Sequence, residues 1–387
     1  MATYKEQNKL NVPHLRFPEF HGEWEKHGLS EYLDFKNGLN PDSKRFGKGI
    51  KFISVMDILN NPVITYDCIR ASVQATDAEI SSFSVENGDI LFQRSSETLE
   101  DVGRANVYID DKVAVFGGFV IRGKKKANYN PLFFRYLLSS PYARKRIIPM
   151  GAGAQHFNIG QEGLSKVSLN FPSIEEQTKI ASLLHLLDER IATQSKLIED
   201  LKKLKSAISE SLFKDIKGDV VTLSEVCEII KGKQINGEFL SDKGKYHVMN
   251  GGTDPSGYYS HYNVEANSIS ISEGGNSCGY VQFNTSPFWS GGHCYTIQEI
   301  ADNVDNLYLY HFLKSKEDAI MKLRIGSGLP NIQKKDLAMF KIKIPTVEQQ
   351  KAISTFLTSL ERKAEIEERI QNAMQKEKQY LLRQMFI

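Results

Sequence analysis

The chain has 387 residues, a formal net charge of +2, 41% hydrophobic residues and 25% charged residues. This length suits about two or three domains, and a protein that binds nucleic acid by bulk charge alone would be far more basic. There is no apolar run of about 18 residues and no apolar signal-peptide core near the start, so we expect a cytoplasmic protein without a membrane span. The four cysteines form no Cys-x-x-Cys pair, which argues against a structural zinc site.

The first predicted element is a globular block at residues 1–172. It contains β-rich runs such as KVAVFGGFVI (112–121) and a short helical pattern, LFFRYLLSS (132–140). A Gly-rich loop, GAGAQHFNI (151–159), and a strand, VSLNFP (167–172), follow. This arrangement of strands and helices predicts an α+β domain.

The second predicted element is a long helix at residues 173–217, a segment that contains neither Pro nor Gly. At about 1.5 Å per residue it would reach roughly 60 Å. Its apolar residues alternate in spacings of four and three, which is typical of a coiled-coil seam. The seam is predicted at Ile180, Leu184, Leu187, Ile191, Ile198 and Leu201, with the polar Gln194 among them. Beyond Leu201 the spacing shifts to Leu204, Ile208 and Leu212, which predicts a stutter.

A second globular block at residues 218–345 and a second long helix at 346–387 follow. The block has its own β-rich run, NSISISEGG (267–275), helical pattern, LYLYHFLKS (307–315), and loop, GSGLPNI (326–332). In the helix the seam is predicted at Ile353, Leu357, Leu360 and Ala364, and then at Ile366, Ile370, Met374 and Leu381. Each apolar stripe is too narrow to be buried by its own block, so we expect the two long helices to pair with each other.

The two halves of the chain form an internal repeat. A shift of 173 residues aligns Phe157–Leu187 with Pro330–Leu360, and nine of these 31 positions are identical. The repeated unit is a variable block, a shared ending and a long helix, which suits a scaffold that presents two different surfaces. An ordinary pair of amphipathic helices in a duplicated fold is the simpler alternative.

The usual local signatures of catalysis are absent or incomplete. Gly118 to Lys124 resembles a phosphate-binding loop, but Lys125 stands where Ser or Thr would bind Mg²⁺. The segments GAGAQH (151–156), NNPV (60–63) and PDSK (41–44) likewise fail the cofactor, methyltransferase and nuclease patterns that they approach. We therefore expect a protein with no catalytic residues, no metal site and no bound cofactor.

Several polar side chains beside glycines or in basic runs could contact phosphates and base edges. Ordinary turns and solvated charge runs explain the same residues, so both interpretations stay open. The candidate DNA-binding residues are Arg94, Ser95, Arg104, Arg122, Lys124, Lys125, Lys126, Gln155, Asn158, Lys231, Lys233, Gln234, Asn250, Tyr258, Tyr259, Asn276, Ser277, Arg324 and Ser327.

One motif opens both long helices and carries a family resemblance. Pro–x–x–Glu–x–Gln occurs at Pro172–Gln177 and again at Pro345–Gln350, each after a Gly-rich loop and a strand. With the opening VPHLRFPEFHGEW (12–24), the whole chain resembles the specificity (S) subunit of type I restriction–modification enzymes. The first copy departs mildly from the pattern, since GAGAQHF stands where the second has the more typical GSGLPNI.

The resemblance implies an α+β protein with two target recognition domains, at 1–172 and 218–345. The helices at 173–217 and 346–387 would form an antiparallel coiled coil that fixes the spacer of a split double-stranded DNA target. The chain would do no chemistry itself. Two modification (methyltransferase) subunits and two restriction subunits would join it, and S-adenosylmethionine, ATP and Mg²⁺ would bind to those partners.

Three alternatives remain at this point. A non-enzymatic coiled-coil adaptor that binds proteins would have no DNA specificity. A fused nuclease–methyltransferase would need the motifs that are missing. An orphan specificity subunit would lack an active partner.

Overall fold

The computed structural model describes residues 11–326, 328 and 330–387. These residues fall into two compact units. The first contains the chain up to Gln194 together with Ile370–Ile387, and the second contains Ser195–Arg369.

The first unit is an α+β structure with two four-stranded sheets. Its strands are β1 (Glu25–Gly28), β2 (Leu33–Asn37), β3 (Phe46–Ile53), β4 (Ser72–Val73), β5 (Ser84–Val85), β6 (Ile90–Gln93), β7 (Ser95–Ser96), β8 (Ala105–Val107), β9 (Ala114–Phe116), β10 (Val120–Lys125), β11 (Phe157–Asn158) and β12 (Ser168–Phe171). Its helices before the first long helix are α1 (Leu29–Tyr32), α2 (Val55–Asn60), α3 (Asp77–Phe83), α4 (Pro131–Ser139), α5 (Pro141–Ile147) and α6 (Gln161–Ser165).

The main sheet of the first unit has the strand order β2-β10-β6-β8, and its neighbouring strands are antiparallel. All four residues of β6 are buried, as expected for a central strand covered on both faces. A second sheet has the order β4-β3-β9-β5, with β3 and β9 parallel. Two short antiparallel pairs, β1–β12 and β7–β11, complete the unit.

The long helices are α7 (Ile174–Asp215) and α11 (Val347–Gln384). The other elements of the second unit are β13 (Asp219–Thr222), β14 (Glu228–Lys231), β15 (Tyr246–Met249), β16 (Tyr258–Tyr259), β17 (Ser268–Ser272), β18 (Val281–Asn284), β19 (Trp289–Ser290), β20 (Cys294–Gln298), α8 (Asn306–Ser315), α9 (Glu317–Met321), α10 (Lys334–Ala338) and β21 (Lys341–Ile344).

The second unit repeats the topology of the first. Its main sheet has the order β14-β20-β17-β18, which matches β2-β10-β6-β8 strand for strand. The pair β13–β21 corresponds to β1–β12, and the parallel pair β15–β19 corresponds to β3–β9. The α+β fold and its duplication, predicted from the repeated sequence, are therefore confirmed.

Each unit closes its core with segments of both long helices. In the first unit, the ring of Trp24 stands edge-on to Phe133 at 6.1 Å and to Phe386, just beyond α11, at 6.3 Å. In the second unit, Phe213 of α7 stands edge-on to Tyr308 at 5.8 Å and to Phe312 at 5.3 Å.

The long helices run antiparallel within each unit. In the second unit, Lys202 pairs with Glu368 and Lys205 pairs with Glu361, each at 2.6 Å, so the numbering rises on one helix while it falls on the other. In the first unit, Lys378 pairs with Asp188. The predicted antiparallel coiled coil agrees with these contacts.

In part of each long helix, the residues on the seam lie one position away from the predicted ones. Beyond Leu201 the half-buried positions of α7 are Lys205, Ile208 and Leu212, whereas Leu204 is 50% exposed, so the predicted stutter is wrong. Likewise, Ile366 and Ile370 of α11 are 54% and 42% exposed. The spacing of four and three continues instead through the half-buried Glu367 and Gln371 to the buried Met374.

The physical reason is that helix pairing preserves the heptad even where it places polar residues on the seam. The other predicted packing residues lie on the inward face. Ile180, Leu184, Ile198 and Leu357 are buried, and Leu187, Ile191, Leu201, Ile353 and Leu360 are half-buried.

The glutamine of the repeated motif ties each long helix to the preceding domain. Gln177 donates to the carbonyl oxygen of Pro172 at 3.0 Å and accepts from the backbone N–H of Asn130, the N-cap of α4, at 3.1 Å. Gln350 donates to Pro345 O at 2.9 Å and accepts from the N–H of Asp305, the N-cap of α8, at 2.7 Å. Both glutamines are buried, so the motif fixes how the helix leaves its domain.

Candidate nucleic-acid interface

In each unit, the same backbone contacts form a surface where strands of the main sheet end, and we call this surface the edge. In the first unit, Arg94 N–H donates to Phe119 O and Arg94 O accepts from Ile159 N–H, both at 2.9 Å. In the second unit, Glu273 N–H donates to His293 O and Glu273 O accepts from Ile332 N–H, again at 2.9 Å. Arg94 and Glu273 therefore occupy equivalent positions, although their side chains carry opposite charge.

Further backbone contacts extend this equivalence. Gly38 N–H donates to Val120 O at 3.2 Å, and Gly232 N–H donates to Cys294 O at 2.8 Å. Asn37 and Lys231, which precede these glycines, are therefore also equivalent. We call Asn37, Asn40, Arg94, Phe119 and Asn158 the edge cluster of the first unit, and Lys231, Gln234, Glu273, His293 and Asn331 the edge cluster of the second.

A repeated Gly-Gly pair allows the close approach inside each cluster. A Cβ atom on Gly118 would lie 1.8 Å from Asn40 Oδ1, and one on Gly292 would lie 2.4 Å from Gln234 Oε1. A larger residue at either position would therefore require the side chain of Asn40 or Gln234 to move. The Gly-Gly pair recurs at 117–118 and 291–292, which is a signal of the shared edge that the sequence interpretation did not use.

In the first unit, the structure brings Arg94, Ser95 and Asn158 together. Arg94 Nη1 donates to Gly118 O at 3.2 Å, and Ser95 Oγ contacts Asn158 Oδ1 where β7 pairs with β11. Gln155 is exposed in the loop before β11. The exposed Phe119, at 68%, was missed because an aromatic residue inside an apolar run predicts core.

The remaining candidates of the first unit do not form one basic patch. Arg122 is 7% exposed and donates to the carbonyl of Ser84, so its guanidinium is not available to a phosphate as predicted. Burial lowers the pKa of Arg122, with nearby carboxylates opposing the shift. The central position of β10 explains the burial, since Val120, Ile121 and Arg122 are all buried and both faces of the strand are covered.

The neighbouring lysines each have a local partner. Lys124 pairs with Glu86 at 3.1 Å, Lys126 pairs with Asp34 at 3.2 Å, and Lys125 donates to Tyr129 O at 3.2 Å. Neighbouring carboxylates therefore compensate the positive charges of Lys124 and Lys126. A DNA contact by any of these lysines stays a prediction.

Arg104 is joined through its carbonyl oxygen to Gln93 N–H, beside Arg94, but its side chain has other partners. It pairs with Asp101 at 2.5 Å and lines a cavity of about 380 Å³ together with Arg135 and Arg144. Burial, together with the nearby charge of Arg104, lowers the pKa of Arg144 to about 10.

In the second unit, several candidates meet around Glu273 and His293. Lys231 Nζ lies 2.6 Å from Glu273 Oε1, and Asn250 Oδ1 accepts from His293 N–H at 3.1 Å. Gln234 lies against Gly292. Glu273 and His293 were missed because the first reads as a turn residue and the second has no nucleophile or metal-ligand pattern around it.

The other candidates of the second unit differ in their exposure. Lys233 is exposed, and its carbonyl accepts from Trp289 Nε1 at 2.9 Å. Tyr258 and Tyr259 are half-buried in β16. Asn276 and Arg324 are exposed, Ser277 is half-buried, and Ser327 lies outside the described residues. For all of these residues, DNA contact stays a prediction.

No group of three or more His, Cys, Asp or Glu residues with metal-ligand geometry occurs in the part of the chain that the structure describes. Among the same residues, no helix is both long enough and apolar enough to cross a membrane.

The family model of the type I restriction modification DNA specificity domain matches the chain twice, at residues 21–203 and 216–376. The chain belongs to the family of type I restriction–modification specificity subunits. The type I restriction enzyme MjaVIII specificity subunit of Methanocaldococcus jannaschii is 23% identical over 427 residues, which cover 99% of this chain and 96% of that protein. The resemblance inferred from the repeated helix motif is thereby confirmed.

Solved structures agree with this specificity-subunit assignment at the level of the fold. The type I restriction–modification S subunit of M. genitalium superposes with a TM-score of 0.66 at 18% identity, covering 97% of this chain and 99% of that chain. A chain from a study of complex assembly in the type I system superposes with a TM-score of 0.58 at 16% identity, covering 93% and 96%. Two DNA specificity domains in one chain are the arrangement that recognition of a two-part target requires.

Proposed function

We propose that this chain sets the DNA sequence specificity of a type I restriction–modification complex by reading a two-part target. One domain reads each half-site, and the paired long helices hold the two domains at a fixed separation. The observation that carries the proposal is the edge cluster, which is built twice on the same backbone contacts with different side chains at four of its five positions. Two domains that recognise different half-sites need the same backbone arrangement but different side chains.

The long helices support the role of a ruler. They are 42 and 38 residues long, and antiparallel contacts join them within each unit. A continuous heptad seam is stiffer than a flexible linker, so it fixes both the distance and the rotation between two half-sites. Rigid linkage also raises the effective concentration of the second domain once the first has bound.

The chain would act without catalytic residues of its own. Two modification subunits would bind S-adenosylmethionine and methylate adenine in each half-site, and two restriction subunits would use ATP and Mg²⁺. The modest net charge of +2 agrees with this division, because partner subunits would supply further contacts to the phosphates. The stoichiometry, the cofactors and a cytoplasmic location stay predictions.

The experiment is to co-produce this chain with its modification subunit in cells that lack other adenine methylation, and to map N6-methyladenine across the genome. The expected result is a single motif of two short half-sites around a fixed gap. A stable complex that leaves the genome unmethylated at any motif would contradict the proposal and favour a protein-binding adaptor.

A further inference from the structure

The edge cluster of the second unit contains a buried carboxylate with one unused acceptor. Glu273 is 7% exposed. Its Oε1 accepts from Lys231 Nζ at 2.6 Å and lies 3.0 Å from Tyr295 Oη, whose single proton is shared with Ile332 O, also at 3.0 Å. Its Oε2 is buried and accepts no hydrogen bond from any residue that the structure describes, and His293 Nδ1 lies 3.8 Å away.

The two oxygens of Glu273 therefore differ sharply. Tyr295 stays a donor, because burial and the hydrogen bond to Glu273 raise the pKa of its phenol. A buried acceptor without a donor lowers the stability of the fold. A side chain that only held the strands together would therefore not need a second oxygen at the position of Oε2. An incoming N–H donor would satisfy it.

The groups around Oε2 can admit such a donor. The side chain of His293, whose Nδ1 lies 3.8 Å from Oε2, is 63% exposed, so burial does not hold its ring in place against an incoming donor. The side chain of Lys231 is 53% exposed, and its ammonium has three N–H donors, of which Glu273 takes one. The pair thus offers donors and one acceptor side by side at the surface.

The equivalent edge of the first unit has the same backbone contacts but different side chains. Arg94 replaces Glu273, Asn37 replaces Lys231 and Phe119 replaces His293. A carboxylate at this position is therefore not a requirement of the fold. It distinguishes the second domain from the first.

We propose that Lys231 and Glu273 together read one G·C base pair in the half-site of the second domain. Lys231 donates to guanine O6 or N7, and Glu273 Oε2 accepts from the N4 amino group of cytosine. A G·C pair presents these acceptors and this donor side by side in the major groove. A T·A pair would instead place the thymine methyl group against the charged side chains. This inference rests on the proposed function.

The test is the methylation motif of complexes that carry Glu273→Gln. The half-site of the second domain is the one that changes when residues 218–345 are replaced by those of another family member. In the wild-type complex it should contain a G·C pair at which Glu273→Gln lowers the preference by about tenfold. The other half-site and the gap should stay the same.

Glu361→Gln is the matched control. Glu361 Oε1 also accepts from a lysine, Lys205, at 2.6 Å and from a tyrosine, Tyr310, at 3.0 Å. The two variants lose the same kind of ion pair, so both should be less stable, but only Glu273→Gln should change the bases of the motif. If Glu273→Gln does not accumulate, Lys231→Met at the exposed partner should relax the same position.

The possible outcomes distinguish a failure of the Lys231–Glu273 inference from a failure of the proposed function. A wild-type split motif that neither Glu273→Gln nor Lys231→Met alters would overturn the inference and leave the proposed function standing. A change at an A·T position would also overturn it. A wild-type complex without any split motif would overturn both.

Discussion

Lys205, on the seam of α7 in the second unit, forms an ion pair with Glu361, which lies beside the seam of α11 next to Leu360, with Nζ 2.6 Å from Oε1. Their side chains are 21% and 29% exposed, and Tyr310 donates to the same oxygen at 3.0 Å. A polar layer of this kind specifies the register of a coiled coil, because any other alignment leaves its groups without partners.

Replacing one member of this layer should cost more than replacing both. We expect Lys205→Met to lower the free energy of unfolding by about 1–3 kcal/mol, since Glu361 loses its main partner. Lys205→Met combined with Glu361→Gln should recover most of that loss, because glutamine removes the unpaired charge and its Oε1 can still accept from Tyr310. The chain has two tryptophans, Trp24 and Trp289, so in a Trp24→Phe background urea denaturation followed by fluorescence reports on the second unit alone. A double variant less stable than the single one would contradict this account.

The buried glutamine of the repeated motif should be intolerant of a single-atom change. Gln350 Nε2 donates to Pro345 O at 2.9 Å and to Asn303 O at 3.0 Å, so Gln350→Glu would place an oxygen against two carbonyls. We expect a loss of about 2–3 kcal/mol in the free energy of unfolding, measured by Trp289 fluorescence. The adjacent Gln349 is exposed, and Gln349→Glu should be nearly neutral. Equal effects of the two changes would show that the buried contacts are unimportant.

The second unit should lose stability in mild acid because of His311. Burial lowers the pKa of His311 to about 4, and its Nε2 lies 2.9 Å from Thr358 Oγ1. The unfolded chain takes up this proton near pH 6.5, so the contribution is fully present above about pH 6.5 and is lost as the pH falls toward about 4.

Protonation of His311 in the unfolded chain should lower the free energy of unfolding by at most about 3 kcal/mol. His311→Gln removes the titrating group and should flatten the dependence of the unfolding free energy on pH between about 6.5 and 4. The measurement is urea denaturation at a series of pH values for both proteins. Parallel curves for His311→Gln and the wild type would mean that other groups dominate.

The first unit should depend on a buried ion pair near its N-terminal segment. Glu176 is 1% exposed and accepts two hydrogen bonds from Arg16, both at 2.8 Å. Arg16→Met leaves a buried carboxylate without its counter-ion and should cost about 3–5 kcal/mol. The reporter is Trp24 in a Trp289→Phe background.

An exposed ion pair on the same helix is the control for Arg16→Met. Lys179 pairs with Glu19, and their side chains are 48% and 44% exposed. Lys179→Met should therefore change the free energy of unfolding by less than about 1 kcal/mol. A cost comparable to that of Arg16→Met would mean that burial does not set the difference.

The ruler predicts how the DNA gap responds to helix length. Seven residues inserted between Gln194 and Ser195, with seven more between Arg369 and Ile370, preserve the heptad and lengthen the pair by about 10 Å. At about 3.4 Å per base pair, the gap should grow by about three base pairs with unchanged half-sites. Matched four-residue insertions shift the seam and should abolish methylation. An active seven-residue variant with an unaltered gap would refute the ruler.

The repeat, the α+β class and the long helices could be predicted from the amino-acid sequence alone. These follow from local signals, namely helical segments without Pro or Gly, alternating apolar spacing, and a proline-headed motif that occurs twice. Such signals act over a few turns of chain and need no knowledge of what packs against them.

Which residues lie on the seam and on the shared edge depends on long-range packing that local patterns do not contain. Leu204 and Ile370 are apolar but exposed, whereas Lys205 and Gln371 are polar and half-buried, because the partner helix fixes the phase. Arg122 lies in a basic run but is buried, because both faces of β10 are covered there. Glu273 meets Lys231 from 42 residues away, a contact that β14, β20 and β17 create and that no local pattern contains.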